Sequence, residues 1–168
     1  MKPKLIGTFE FEPTASLDKL WRVVDPREED CAYAYLVTTA QPVSYGTSRS
    51  RIIYIGKGKR THNPNYYQCR AFESFGQTLV SLMDGTPSHK GGHDEVRKQF
   101  ADGKLRLQLH LLPCKDAGAD DPRLWEGALL QTFWEMYKEV PKFNIRKGAT
   151  PPPELVALAK QVLTEFAG

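Results

Sequence analysis

Tyrosines and basic residues share one stretch of this chain. Residues 31–72 hold Tyr33, Tyr35, Tyr45, Tyr54, Tyr66 and Tyr67 together with Arg49, Arg51, Lys57, Lys59, Arg60 and Arg70, and contain neither Asp nor Glu. The segment before it is rich in acid, with Glu10, Glu12, Asp18, Asp25, Glu28, Glu29 and Asp30. Lysine and arginine neutralise phosphates, and aromatic rings stack on bases or offer hydroxyls, so the window has the chemistry of a polyanion-facing surface. A solvated basic face over core tyrosines would carry the same composition. A second cluster, His89-Lys90-Gly91-Gly92-His93 followed by Asp94 and Glu95, has the donors for zinc. No other ligand pair accompanies it, so a phosphate-contacting loop is the preferred reading.

Four pieces stand out together: Tyr33-Ala34-Tyr35, Tyr54-Ile55-Gly56-Lys57-Gly58, Arg70, and Trp125-Glu126-Gly127-Ala128 followed by Pro141-Lys142-Phe143-Asn144. In that order they resemble the GIY-YIG nuclease family, over about residues 31 to 146. Tyr54-Ile55-Gly56 matches the second half of the family signature as it stands. Tyr33-Ala34-Tyr35 takes the place of the first half, with Cys31-Ala32-Tyr33 as the alternative alignment, so Tyr33 and Tyr35 both stay candidates for the first tyrosine. The signature's first glycine is missing. The family arginine follows the YIG glycine more closely than Arg70 does, which keeps Arg60 as its alternative. Ser74 stands where some members carry a His or Tyr, and His62, His89, His93 or a lysine is left to substitute.

The resemblance implies a divalent-metal-dependent DNA endonuclease that hydrolyses phosphodiester bonds. Hydrolysis needs an activated water, stabilisation of phosphate charge and help for the leaving oxygen, and a divalent cation supplies much of the last two. Mg²⁺ or Mn²⁺ keeps several waters, so one carboxylate can suffice, and Glu126 is the expected ligand. Arg70 would grip the scissile phosphate with its fork of donors. The hydroxyls of Tyr35 and Tyr54, or of Tyr33, would orient or deprotonate the water. A tyrosinate base needs nearby cations, and Lys57, Lys59 and Arg60 are available. Asn144 would fix geometry by hydrogen bonding. Gly56 and Gly58 would let the backbone approach nucleic acid closely. Arg49, Arg51, Gly56, Lys59, Arg60, His89, Lys90 and His93 complete the expected nucleic-acid surface. Each residue alone also suits an ordinary strand tyrosine, a surface arginine or a first-turn glutamate favoured by the helix dipole.

These side chains need a scaffold. Ala32 to Thr39 and Arg51 to Ile55, rich in aromatic and β-branched residues, predict two strands of a hairpin. Gln41 to Ser50, with Pro42, Gly46 and three serines, predicts a loop. Lys104 to Leu112 alternates, with Leu105, Leu107, Leu109 and Leu111 on one face and Arg106, Gln108 and His110 on the other, as a half-buried strand does. Lys115 to Asp121 reads as a loop. Helices are predicted at Leu17–Val24, Asn65–Met83, His93–Ala101, Arg123–Glu139 (started by Asp121 and Pro122) and Glu154–Phe166. The expected class is α+β: a small three-stranded mixed sheet flanked by helices in the order β-β-α-α-β-α, with helical extensions at both ends.

At 168 residues the chain is one ordinary domain. Its charged fraction of 26% and apolar fraction of 40% read as a soluble globular chain rather than a disordered one. No apolar run reaches the roughly 18 residues a membrane helix needs. No signal-peptide cleavage site follows the N-terminus, and Cys31, Cys69 and Cys114 are too scattered for a disulfide framework, so a reducing cytoplasm is expected. The competing reading is a catalytically inactive nucleic-acid-binding module with the same fold. An HNH or PD-(D/E)xK nuclease finds little support, since no D…ExK spacing occurs. Double-stranded DNA is the expected partner. A homodimer, and the choice among restriction, mobile-element and repair roles, stay open.

Overall fold

The structure is a computed structural model and describes residues 4–10, 32–59, 106–144 and 148–167. The elements are strands β1 (Lys4–Glu10), β2 (Ala32–Tyr45), β3 (Ser48–Lys59) and β4 (Arg106–Pro113), then helices α1 (Cys114–Ala117), α2 (Pro122–Tyr137) and α3 (Pro153–Thr164). The strands form one sheet in the order β1-β4-β2-β3, and every pairing is antiparallel. The class is α+β, as the sequence predicts. The sheet is antiparallel rather than mixed, and β1 adds a fourth strand to the three expected. The register of β1 on β4 shifts between Leu5 and Gly7, and that irregularity breaks the period by which so short a strand is recognised. The helices expected at 17–24, 65–83 and 93–101 lie outside the described residues.

The loop expected between the hairpin strands is strand instead. β2 runs to Tyr45 and β3 restarts at Ser48, so only Gly46 and Thr47 turn the chain. Gly46 takes φ +54°, the left-handed region that such a turn needs. Pro42, which lacks a ladder donor, falls where the pairing jumps from Thr38↔Ile52 to Val43↔Ser50, and an irregularity is where a strand tolerates proline. Thr39 Oγ1 donates to the carbonyl of Gln41 at 2.6 Å and closes the irregular turn. Beyond it Val43 and Tyr45 return to the core. The Tyr45 hydroxyl donates to the Ile52 carbonyl at 2.5 Å, and its ring packs on Phe133 and Tyr137.

Residues 33–39 of β2 are all buried, in both parities of the strand. β4 is likewise more enclosed than its alternation predicts. Leu107, Leu109 and Leu111 are buried, and so are His110 and Leu112 from the supposedly polar face. His110 is accommodated because Thr38 lies 3.1 Å from its Nε2 and Phe166 stands edge-on to its ring.

α2 begins where Asp121 caps it. The Asp121 carboxylate accepts from the Arg123 N–H at 2.8 Å, and Pro122 supplies a first position that needs no donor. Trp125, Ala128, Leu129, Thr132 and Phe133 recur at helical spacing and are buried. Trp125 Nε1 donates to the Leu112 carbonyl at 3.2 Å and ties α2 to the end of β4. The helix ends at Lys138, in the left-handed region, whose N–H returns to the Trp134 carbonyl. The short helix α1 occupies the start of the segment expected as a loop, from Cys114. α3 matches the expected last helix, burying Leu155, Ala159, Val162 and Leu163. Its trailing residues fold onto β3, where the Arg51 N–H donates to the Phe166 carbonyl. No helix among the described residues is long and apolar enough to cross a membrane.

Candidate active site

The register of the hairpin brings the tyrosines together. Tyr33 pairs with Gly58, Tyr35 with Gly56 and Val37 with Tyr54, so Tyr33, Tyr35 and Tyr54 share one face of the sheet. The rings of Tyr35 and Tyr54 are 5.8 Å apart, inclined at 44°. The two glycines explain the fit. A Cβ on Gly56 would overlap the Tyr35 ring, and one on Gly58 would overlap the Tyr33 ring. On the side a Cβ would take, the space over both glycines is filled by tyrosine rings.

On the other parity of β3, Lys57 stands opposite Ala34. Its Nζ lies 2.6 Å from Oε2 of Glu126, in the second turn of α2. The Lys57 side chain is 39% exposed and Glu126 only 13%, so the carboxylate is sheltered beneath the ammonium. The negative charge of Glu126 reaches both Tyr35 and Tyr54. Asn144 fixes the strand between these groups. Its amide donates to the Ile55 carbonyl at 2.7 Å and its Oδ1 accepts from the Ile55 N–H at 2.9 Å. The Phe143 N–H donates to the Ile53 carbonyl at 3.0 Å. β3 is an edge strand, and these bonds occupy its outward-facing groups just where Tyr54 and Gly56 flank Ile55.

Ionisation of the tyrosines runs against the expected phenolate. Burial, then the neighbouring Tyr54, Tyr33 and Glu126, holds the Tyr35 hydroxyl well above the ordinary tyrosine range. Burial also raises Tyr54, partly offset by the Tyr35 hydroxyl. As they stand, both tyrosines are neutral hydroxyls, and of the two only the partly exposed Tyr54 is open to solvent.

Sequence reasoning missed a second charged pair. Arg123 Nε and Nη2 bind the Asp121 carboxylate at 2.7 to 3.2 Å. Arg123 holds the Asp121 carboxyl below the usual range, and Lys57 adds to the effect, which sets this pair beside the first. Asp121 was legible as a helix cap, but its second partner, one turn before Glu126, was not.

The remaining expected residues divide. Arg49 and Arg51 lie toward the hairpin turn, away from Lys57, and both are engaged within the chain. Arg49 donates to the Pro42 carbonyl at 2.8 Å, and Arg51 reaches the Glu165 carbonyl and the Phe166 ring. Lys59 ends β3, its backbone paired with Ala32. Arg60, His62, Arg70, His89, Lys90 and His93 lie outside the described residues. Among the described residues no three His, Cys, Asp or Glu side chains converge. Of these residues a cation at the site would rest on the Glu126 carboxylate, with water completing its shell. That oxygen-only donor set suits Mg²⁺ or Mn²⁺ and not zinc.

Comparison with protein-family models, with curated proteins and with solved structures finds no match to this chain.

Proposed function

We propose that the chain is a metal-dependent endonuclease acting on double-stranded DNA, in the manner of the GIY-YIG enzymes that its motifs resemble. The observation that carries the reading is convergence. At one end of the hairpin Tyr35 and Tyr54 pack together on one face, Lys57 from the other parity of β3 pairs with Glu126 of α2, whose charge reaches both tyrosines, and the Asn144 amide bonds Ile55 between them, although 109 positions separate Tyr35 from Asn144. These are residue types that phosphodiester hydrolysis uses, in the order of the signature.

A cation bound through Glu126 would stabilise charge on the phosphate and on the leaving oxygen. Lys57 holds the Glu126 carboxylate in place and adds a positive charge at the mouth of the site. The neutral Tyr54 hydroxyl orients a water by hydrogen bonding. Asn144 keeps the Tyr54–Gly56 segment in register. Arg70 or Arg60 is the proposed phosphate grip. The scattered cysteines favour a reducing cytoplasm as the compartment.

Conversion of supercoiled plasmid to nicked and linear forms, with Mg²⁺ or Mn²⁺ and again with EDTA, tests the reading. Cleavage that requires the cation supports it. Binding of duplex DNA without cleavage under any divalent cation supports the inactive binding module, which the raised tyrosine ionisation would also suit. Neither cleavage nor binding rejects both.

A further inference from the structure

The Tyr35 hydroxyl is fully buried and has no hydrogen-bond partner. Such a group is rare in a folded protein and costs roughly 1–3 kcal/mol. Phenylalanine would fill the same space over Gly56 without that cost. The other buried side-chain atom in this condition among the described residues, the Tyr137 hydroxyl, belongs to an aromatic cluster with Tyr45 and Phe133. The Tyr35 hydroxyl instead lies beside Tyr54, a partly exposed residue on the same face. The two hydroxyls lie close enough for each to shift the other's ionisation as a weak hydrogen bond would, yet the Tyr35 hydroxyl has no partner in good hydrogen-bond geometry.

We propose that Tyr35 is a positioning residue for Tyr54: its buried hydroxyl waits unpartnered in the free protein and engages the Tyr54 hydroxyl when DNA fills the site. Tyr54 is then the tyrosine that meets the substrate. Tyr35, at 0% exposure, touches nothing outside the protein and acts through its neighbour. Its ring is seated on Gly56 and cannot swing away, so the adjustment belongs to Tyr54. The inference rests on the nuclease reading and adds a division of labour between the two tyrosines.

A double-mutant cycle with Tyr35→Phe, Tyr54→Phe and the double variant tests it, read by single-turnover cleavage of plasmid with Mg²⁺. Tyr54→Phe is expected to slow cleavage by about 10²-fold. Tyr35→Phe is expected to slow it by about 10-fold while denaturing at the same or higher urea concentration, a combination that a purely structural tyrosine does not give. The double variant should be no slower than Tyr54→Phe alone, because a residue acting through another has nothing further to lose. Losses that multiply, or a wild-type rate in Tyr35→Phe, overturn the proposal. A second measurement uses 3-fluorotyrosine-labelled protein and a short duplex with Ca²⁺ in place of Mg²⁺. The duplex should move the Tyr54 fluorine resonance, and Tyr35→Phe should reduce that movement. A movement indifferent to Tyr35 overturns the proposal even if the wild type does not cleave. A protein that neither cleaves nor binds DNA removes the nuclease reading and this inference together.

Discussion

Lys57 Nζ lies 2.6 Å from Oε2 of Glu126 and joins the end of β3 to the second turn of α2. The pair is partly exposed, and such pairs contribute about 0–1 kcal/mol to stability. A stabilising role therefore does not explain why the carboxylate is sheltered and the ammonium placed over it. Under the proposed nuclease reading, the pair holds the carboxylate in one orientation for a cation.

Glu126→Gln keeps the shape and the hydrogen bond to Lys57 but removes the charge a cation needs. It should abolish Mg²⁺-dependent cleavage, move the urea midpoint little and leave duplex affinity within about 3-fold, since the basic surface is intact. Nicking assays, urea melts and fluorescence anisotropy of a labelled duplex report the three quantities. Cleavage at the wild-type rate would remove Glu126 from the mechanism.

The second prediction concerns pH. Burial, and then the charge of Arg51, lowers His110 from its ordinary 6.5 to about 4. In the unfolded chain the imidazole takes up a proton near pH 6.5, while the folded protein resists it. The neutral, buried state therefore contributes stability that is fully present above about pH 6.5. That contribution is lost as the pH falls toward 4, with a total on the order of 3 kcal/mol. Urea midpoints measured from pH 7.5 down to 4.5 should fall in the wild type. The fall should be shallower in His110→Gln, which keeps a polar partner for Thr38 but cannot charge. Parallel slopes in the two proteins would show that His110 does not set the dependence.

How much of this was legible in the sequence depends on whether the deciding contact was local. The leucines of β4 alternate along one face of the strand, and that period survives in the string. The start of α2 is written in Asp121 and Pro122. The Tyr54-Ile55-Gly56 segment announces itself by its motif. Residues 41–50 read as a loop because Pro42, Gly46 and the serines are turn formers. A register irregularity and a two-residue turn absorb them, and the Tyr45–Ile52 bond ties the two strands together across that turn. The burial of His110 depends on Thr38 and Phe166, far away in the chain. The pairing of each tyrosine with a glycine also needed the register, because neither residue specifies it alone.

That pairing gives the third prediction. Gly56→Ala places a methyl group inside the space of the Tyr35 ring, which is packed on all sides and cannot yield freely. The expected loss is about 1–3 kcal/mol, the usual size for overpacking a core. Combining it with Tyr35→Leu should recover part of that loss, since the smaller side chain vacates the overlap. Chemical denaturation of the two single variants and the double variant measures the coupling, and strictly additive losses would mean that the ring and the glycine do not compete for one space.

The last prediction separates the two halves of the Asn144 contact. The amide donates to the Ile55 carbonyl and the side-chain oxygen accepts from the Ile55 N–H, so one side chain serves as a short piece of neighbouring strand. Asn144→Ala removes both bonds from a part-buried edge and should cost about 1–3 kcal/mol. Asn144→Asp can still accept from the N–H but sets a carboxylate against the Ile55 carbonyl. It should cost at least as much near neutral pH and recover toward the wild type in acid, where the protonated carboxyl donates. Amide hydrogen exchange at Ile55 reads the site directly: protection should fall in Asn144→Ala and persist better in Asn144→Asp at low pH. If Ile55 exchanges at the same rate in all three proteins, Asn144 does not hold this edge, and the segment carrying Tyr54 and Lys57 must be kept in register by the β2 ladder and the Phe143–Ile53 bond.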